Sequence, residues 1–227
     1  MLMDSLILFH GSQHIIEHPE YGVGKPYNDY GCGFYCTEHT ELAKEWGCNE
    51  GIDGYANRYD LDMGGLNLLD LSDEKYSILN WLAILMDNRI GRLSTPIEKR
   101  GREYLLEHFL IEYKSADIIK GYRADDSYFS FAKAFVGNGI SLTQLGYAMK
   151  LGKLGEQHVL MSEKAFKQIQ FLDYEIADNN VYYPKRKARD EAARDAFRKV
   201  VEKDEIEGIY MRDIIRENME ASDERIR

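Results

Sequence analysis

Strand-like and helix-like segments follow one another in an irregular order along this chain of 227 residues, and this order constrains the fold most strongly. A doubly wound sheet needs a regular alternation of strand and helix, which the chain lacks. We therefore predict an α+β fold, and the length favours one main domain with a smaller appendage. The segments with the apolar pattern of strands are residues 6–10, 31–37, two runs within 57–71, 116–121, 156–161 and 169–177.

A polar capping residue precedes each predicted helix before the C-terminal segment. Ser72 is predicted to begin a helix whose apolar stripe runs from residue 78 to residue 86. The next helix is predicted to begin at Thr95, which forms a capping box with Glu98. The remaining predicted N-caps are Thr37, Asp125, Ser141, whose helix should reach about Leu151, and Ser162.

The composition changes near the C-terminus. Residues 185–203 carry eight Lys or Arg and four Asp or Glu, so this segment has a net charge of +4 within a chain of net charge −10. Its spacing of apolar residues predicts an amphipathic helix, either with a solvated basic face or with a surface that binds a partner or phosphate. We predict an extension over 181–227, packed on a main domain formed by residues 1–180.

Charge and apolar runs exclude several classes of protein. The excess of acidic residues, 39 against 29 basic ones, argues against a surface that coats nucleic acid or anionic membrane. The longest unbroken apolar run, residues 81–86, is far shorter than the ~20 residues that cross a bilayer. The opening MLMDSLILFHGS lacks a basic region and a cleavage site, so we expect a cytoplasmic protein without a membrane partner.

The three cysteines, Cys32, Cys36 and Cys48, raise the possibility of a zinc site completed by His39. In a strand, however, Cys32 and Cys36 would be ~13 Å apart, which is too far for a shared metal or a disulfide. We therefore predict free thiols and no metal site.

No familiar hydrolytic or phosphate-binding motif is present, such as G-x-S-x-G, a Walker loop, H-E-x-x-H or G-x-G-x-x-G. What remains is a set of polar residues at strand ends. His10 follows an apolar strand beside Gly11, whose missing side chain would let a ligand approach the backbone. Tyr35 and either Glu156 or Gln157 lie on two later strands. Each of these residues taken alone is more typical of a structural role.

Taken in order, these segments resemble a known family. Three segments are similar to the ADP-ribosyltransferase fold of the diphtheria-toxin and poly(ADP-ribose)-polymerase branch. They are LFHGS, YGCGFYCTEHTELAKEW and GEQHVLMSEKAFKQIQF. With ADIIKGYRADDSYFSFAKAF and GIYMRDIIREN included, the chain more closely resembles a bacterial family of PARP-like domains of unknown function, often encoded in toxin–antitoxin-like gene pairs. The resemblance implies a split β-sheet core with several inserted helices.

The resemblance also implies an activity: mono-ADP-ribosyl transfer from NAD, the co-substrate, to a macromolecular acceptor, which is a protein or a nucleic acid. The implied setting is a bacterial toxin or phage-defence effector, with an antitoxin protein as a possible partner. The alternatives are an NAD glycohydrolase and a catalytically silent module that binds NAD or a partner.

Site roles follow from the same resemblance. His10, within the His-Gly-Ser run that ends at Ser12, would bind the adenosine ribose, and the Gly11 backbone would hold the nicotinamide carboxamide. Tyr35 would be the tyrosine of a His-Tyr-Glu triad. Trp46 would stack on the nicotinamide ring.

Two further expectations concern charged groups. Arg123 or Asp126 would lie at the rim of the NAD cleft, where a cation could meet the pyrophosphate, although the same residues fit an ordinary strand-to-helix turn. The chain departs from the family pattern at the third triad position, where Gln157 replaces the glutamate. Glutamine can bind a ribose hydroxyl but cannot act as a general base, and a register error of one residue would put Glu156 there instead.

Overall fold

The chain folds into two β-sheets and a set of helices, as seen in a computed structural model that describes residues 5–89, 91, 93–124, 126–151, 155–203 and 205–226. The side chains of Asp126 and Ser127 are outside this description. Eight α-helices and seven strands lie within the described residues, and the predicted α+β class is confirmed.

The first sheet has three antiparallel strands in the order β1-β3-β7. The second has four strands in the order β2-β6-β5-β4, antiparallel except for the parallel pair β4 and β5. The strands are β1 (Ser5–Ser12), β2 (Phe34–Cys36), β3 (Gly54–Asp62), β4 (Leu68–Asp70), β5 (Ile118–Tyr122), β6 (Glu156–Leu160) and β7 (Ile169–Ala177). The two runs predicted within 57–71 are therefore both strands, but they belong to different sheets.

Most of the helices pack against the second sheet and form the larger apolar core with it. They are α1 (Thr40–Gly47), α2 (Ile78–Asn88), α3 (Pro96–His108), α4 (Asp126–Val136), α5 (Leu142–Ala148), α6 (Glu163–Gln168), α7 (Asn179–Val201) and α8 (Met211–Arg216), followed by a 3-10 turn, Glu224–Ile226. The N-caps predicted at Thr95, Ser141 and Ser162 are confirmed, since each side chain accepts a hydrogen bond from a backbone N–H in the first turn.

Two predicted helix starts are wrong. Ser72 does not begin α2, because its backbone and its hydroxyl both donate to the Asp70 carboxylate and hold a turn there. The N-cap is Ser77, whose backbone N–H donates to Asn80 Oδ1 at 2.8 Å. Thr37 does not begin α1, because it forms a backbone bridge with Phe9 and stays extended.

The C-terminal basic segment is helical, as predicted, but its helix is longer. Helix α7 begins at Asn179, after the cap formed by Asp178, and it contains Pro184 within its early turns. Helix α7 packs on α1, α4 and α5, and helix α8 packs on α3. Ala193 and Met211 contribute to the larger apolar core. The division of the chain near residue 180 stays a prediction.

Cys32, Cys36 and Cys48 are free thiols, and Cys48 is buried with its Sγ donating to the Ala177 carbonyl at 3.1 Å. Among the helices of the described chain, none is long and apolar enough to cross a membrane. Helix α5 ends at Ala148 rather than near Leu151.

Two backbone contacts bring the parts of the cleft together. Phe9 in β1 and Thr37 after β2 exchange hydrogen bonds of 2.7 and 2.9 Å, which link the two sheets at one point. Helix α1 lies on β1 so closely that a Cβ atom at Gly11 would be 2.0 Å from the Ala43 carbonyl oxygen. The glycine therefore sets how near α1 can approach the strand.

We expect Gly11→Ala to lower the free energy of unfolding by about 1–3 kcal/mol, because backbone atoms of α1 would have to move. The matched control is Gly146→Ala in α5, where nothing lies within 4 Å of the added Cβ. That change should raise stability by about 0.5–1 kcal/mol. Urea unfolding followed by tryptophan fluorescence measures both variants. Unchanged stability in Gly11→Ala would contradict the close contact between α1 and β1.

Candidate functional site

A cleft of about 790 Å³ brings together most of the residues that the sequence analysis selected. The segment between β1 and β2 forms one wall, and parts of β1, β2, α1, β6 and the end of β5 form the others. Six of the predicted residues line it: His10, Gly11, Tyr35, Trp46, Arg123 and Gln157. Ser12 is not among its lining residues, and its hydroxyl accepts a hydrogen bond from the His14 backbone. The side chain of Asp126 lies outside the described residues.

The imidazole of His10 is held in place by a backbone carbonyl and an aromatic ring. Its Nδ1 lies 2.8 Å from the Tyr35 carbonyl oxygen, and the ring stacks on Phe34 with a centroid distance of 4.3 Å. Burial lowers the pKa of His10, and the nearby positive charge of Arg123 lowers it further, against the opposing effect of the carbonyl. Because a carbonyl can only accept, the proton of the neutral ring is on Nδ1, which leaves Nε2 as an acceptor. A sugar hydroxyl is a suitable donor to that nitrogen.

The hydroxyl of Tyr35 is used within the protein. It donates to the Gly31 carbonyl at 2.7 Å and accepts from the Tyr30 N–H at 3.1 Å. Burial raises the pKa of Tyr35, so the phenol stays protonated. Tyr35 therefore fixes the segment that precedes β2, and its O–H proton is already donated within the protein.

Gly11 is needed for a reason that the sequence analysis did not give. The space that its side chain would fill is occupied by the backbone of α1 at Ala43, with no room for a ligand there. The missing side chain therefore makes room for α1, and Gly11 also lines the cleft. Contact between its backbone and a ligand stays a prediction.

One face of Trp46 carries the guanidinium of Arg123. The Cζ atom of Arg123 lies 3.6 Å from the centroid of the indole ring, a close cation–π contact. Arg123 is thus at the cleft, as predicted, but it also covers part of the aromatic surface assigned to nicotinamide. A ring that stacks on this face must displace the guanidinium.

The choice between Glu156 and Gln157 has a structural answer. The side chain of Gln157 is 1% exposed and lines the cleft. Glu156 lies on the opposite face of β6, where it forms a 3.0 Å ion pair with Lys120. The register that places Gln157 at the cleft is therefore the one the structure has.

The sequence analysis missed Asp29, a carboxylate that is only 5% exposed. Its Oδ2 accepts hydrogen bonds from the Ala124 N–H at 2.8 Å and from Gln157 Nε2 at 3.0 Å, and its Oδ1 lies 3.0 Å from Arg89 Nε. Burial raises the pKa of Asp29, while Arg89 and the hydrogen bonds partly oppose this effect. No local signal marks the residue, because Ala124 and Gln157 are 95 and 128 residues away in sequence.

A metal centre is not evident in the described part of the chain, where no group of three or more His, Cys, Asp or Glu side chains could hold an ion. The cleft instead offers acceptors for hydroxyl groups, cations for anionic groups and an aromatic ring. These groups are suited to a polar, phosphate-containing organic ligand.

The fold and site define an α+β protein with two sheets that meet at a polar cleft. The chain belongs to a family described as proteins of unknown function, DUF3990, whose model matches residues 6–171. That range contains every cleft residue discussed above and excludes α7 and α8. No curated protein and no solved structure matched the chain.

We expect the His10 ring to titrate at a pH below 6.5, the ordinary histidine pKa, and to carry its proton on Nδ1 while it is neutral. The ring ¹⁵N chemical shifts, followed by NMR as the pH is lowered, report both the tautomer and the titration. A His10→Gln variant identifies the signals. A ring protonated on Nε2, or one that titrates at or above 6.5, would contradict the assigned hydrogen bond.

Proposed function

We propose that this protein is an NAD-dependent mono-ADP-ribosyltransferase, which splits NAD and transfers ADP-ribose to a macromolecular acceptor. The observation that carries the proposal is the meeting of His10, Tyr35 and Gln157 at one cleft, although they come from three strands far apart in sequence. The resemblance to PARP-like domains names these same three positions. The volume of the cleft is within the range of small-molecule sites.

The chemistry of the cleft is compatible with NAD. The acceptor Nε2 of His10 suits the hydroxyls of the adenosine ribose, as the resemblance implies. Arg123 and Lys25 line the same cleft and carry charges suited to the pyrophosphate. Gln157 has an amide oxygen that can accept a hydrogen bond from the nicotinamide ribose.

The proposed reaction breaks the glycosidic bond between nicotinamide and C1′ of its ribose. The bonding electron pair leaves with nicotinamide, which becomes neutral, while positive charge develops on the ribose. An oxygen or nitrogen of the acceptor then bonds to C1′ and releases its proton to solvent water. An amide oxygen near the ribose stabilises the developing positive charge, which accelerates the step.

The acceptor and the biological setting are also proposals. The resemblance favours a bacterial toxin or phage-defence effector in the cytoplasm, controlled by an antitoxin protein. The acceptor is a protein or a nucleic acid. Labelled NAD incubated with cell lysate, followed by separate protease and nuclease digestion of the product, distinguishes these two.

A second candidate function is supported by the identity of residue 157. Gln157 has no carboxylate to remove a proton from a macromolecular acceptor, and water is an abundant alternative nucleophile. Nicotinamide release by the purified protein without lysate would favour an NAD glycohydrolase. Binding of NAD without any release would favour a catalytically silent module.

We expect Gln157→Ala to cost about 2–4 kcal/mol of transition-state stabilisation, a typical loss for one positioned group. The loss should fall mainly on kcat, because the other cleft groups still bind NAD. The measurement is nicotinamide release from NAD. The matched control is Glu156→Gln, the adjacent residue on the opposite face of β6, which should change the rate little. The reverse pattern, with only Glu156→Gln inactive, would contradict the site.

We expect each modified acceptor to carry a single ADP-ribose unit. Extension of a polymer requires a base that activates the ribose hydroxyl of the previous unit, and Gln157 cannot serve as that base. Gel electrophoresis of acceptors labelled with radioactive NAD tests this expectation. A ladder of long products would contradict it.

A further inference from the structure

Asp29 stands out among the buried charged groups because it contacts Gln157 directly and lines the cleft. We propose that Asp29 is a positioning residue, which holds the side-chain amide of Gln157 so that its oxygen, rather than its NH₂ group, is presented to the ribose. This inference rests on the proposed NAD-dependent function.

The hydrogen bonds allow only one orientation of the Gln157 amide. Its Nε2 donates to Asp29 Oδ2 at 3.0 Å and to the Tyr122 carbonyl oxygen at 3.2 Å. The Tyr122 carbonyl is an acceptor only, so it cannot face the amide oxygen favourably, and the Asp29 carboxylate beside Arg89 accepts from the same Nε2. Because both N–H groups are bonded within the protein, Oε1 is the end of the amide left to meet a ligand in the cleft that Gln157 lines.

The orientation matters because the two ends of an amide have opposite polarity. An Oε1 atom near the nicotinamide ribose accepts from its hydroxyl and stabilises positive charge on the ring, whereas an NH₂ group there would oppose that charge. A hydrogen bond from Nε2 to a carboxylate also polarises the amide and makes Oε1 a stronger acceptor. Asp29 thus supplies negative charge to the site through Gln157.

Asp29 is poorly placed to react directly. Its Oδ1 is buried, accepts no hydrogen bond within the described part of the chain and lies beside the Arg89 guanidinium. Its Oδ2 is already bonded to Ala124 and Gln157. Its carboxylate therefore acts on the reaction through Gln157 and does not itself remove a proton, as a general base would.

The segment that contains Asp29 also fixes Tyr35. The backbone N–H of Tyr30 donates to the Tyr35 hydroxyl, which in turn donates to the Gly31 carbonyl. Residues 29–31 therefore bond to two members of the proposed triad at once. A function for Asp29 in placing Gln157 is consistent with this arrangement.

The test is a double-mutant cycle on nicotinamide release from NAD, with Asp29→Ala, Gln157→Ala and the double variant. With Gln157 present, Asp29→Ala should lower kcat about tenfold or more, with KM changed by less than about threefold. In the Gln157→Ala background, the same change should lower kcat by less than about twofold, because Asp29 then has no side chain to orient. A purely structural carboxylate would cost the same in both backgrounds.

Thermal unfolding of each variant is measured in parallel. If Asp29→Ala does not fold, the cycle is repeated with Asp29→Asn, which keeps the volume and an acceptor for the Ala124 N–H but removes the charge. The control is Asp173→Asn, which removes the carboxylate of an exposed ion pair with Arg58 outside the cleft and should leave kcat and KM unchanged.

The outcomes separate the two proposals. A background-dependent loss of kcat supports the positioning role. An active wild type with equal losses in both backgrounds, or with no loss in the Asp29 variant, overturns this inference and leaves the proposed function standing. A wild type that releases no nicotinamide, with or without lysate, overturns the proposed function and this inference with it.

Discussion

The burial of the Asp29 carboxylate is the constraint on which the cleft depends. An isolated buried charge is too costly to survive, so a carboxylate at this depth requires a cation and several donors around it. Arg89 supplies the cation, while Ala124 and Gln157 supply donors from the end of β5 and from β6. These contacts hold the segment before β2 against the second sheet and against the residue that ends α2.

The sequence predicts those parts of the structure whose causes are local. The capping box at Thr95 and Glu98 is confirmed, because both partners lie within one helical turn. The helix start predicted at Ser72 is wrong because Ser72 bonds to Asp70 and forms a turn. The actual N-cap, Ser77, precedes the same apolar stripe, so the pattern does not distinguish the two serines. Asp29 was missed because its partners are brought to it only by the tertiary fold.

At the candidate site, the sequence selects residues that the fold brings to one cleft, but it does not contain the reasons why several of them are there. The alternation along β6 correctly separates Gln157 from Glu156, since successive strand residues face opposite sides. Gly11 lines the cleft as expected, but its lack of a side chain serves the packing of α1. The Tyr35 hydroxyl is committed to the backbone of its own loop. Such commitments depend on distances across the fold, which a pattern of residue types does not contain.

The contact between Arg123 and Trp46 has a consequence for selectivity. A planar cation already lies on the indole face, so a ligand ring that stacked there would have to displace it. The affinity of such a ring would depend on the difference between the two stacking energies. A positively charged ring competes with the guanidinium on equal electrostatic terms, whereas a neutral ring of the same shape does not. If a ligand ring stacks on this indole face, as the proposed function requires, the arginine would favour a positively charged ring over a neutral one of the same shape.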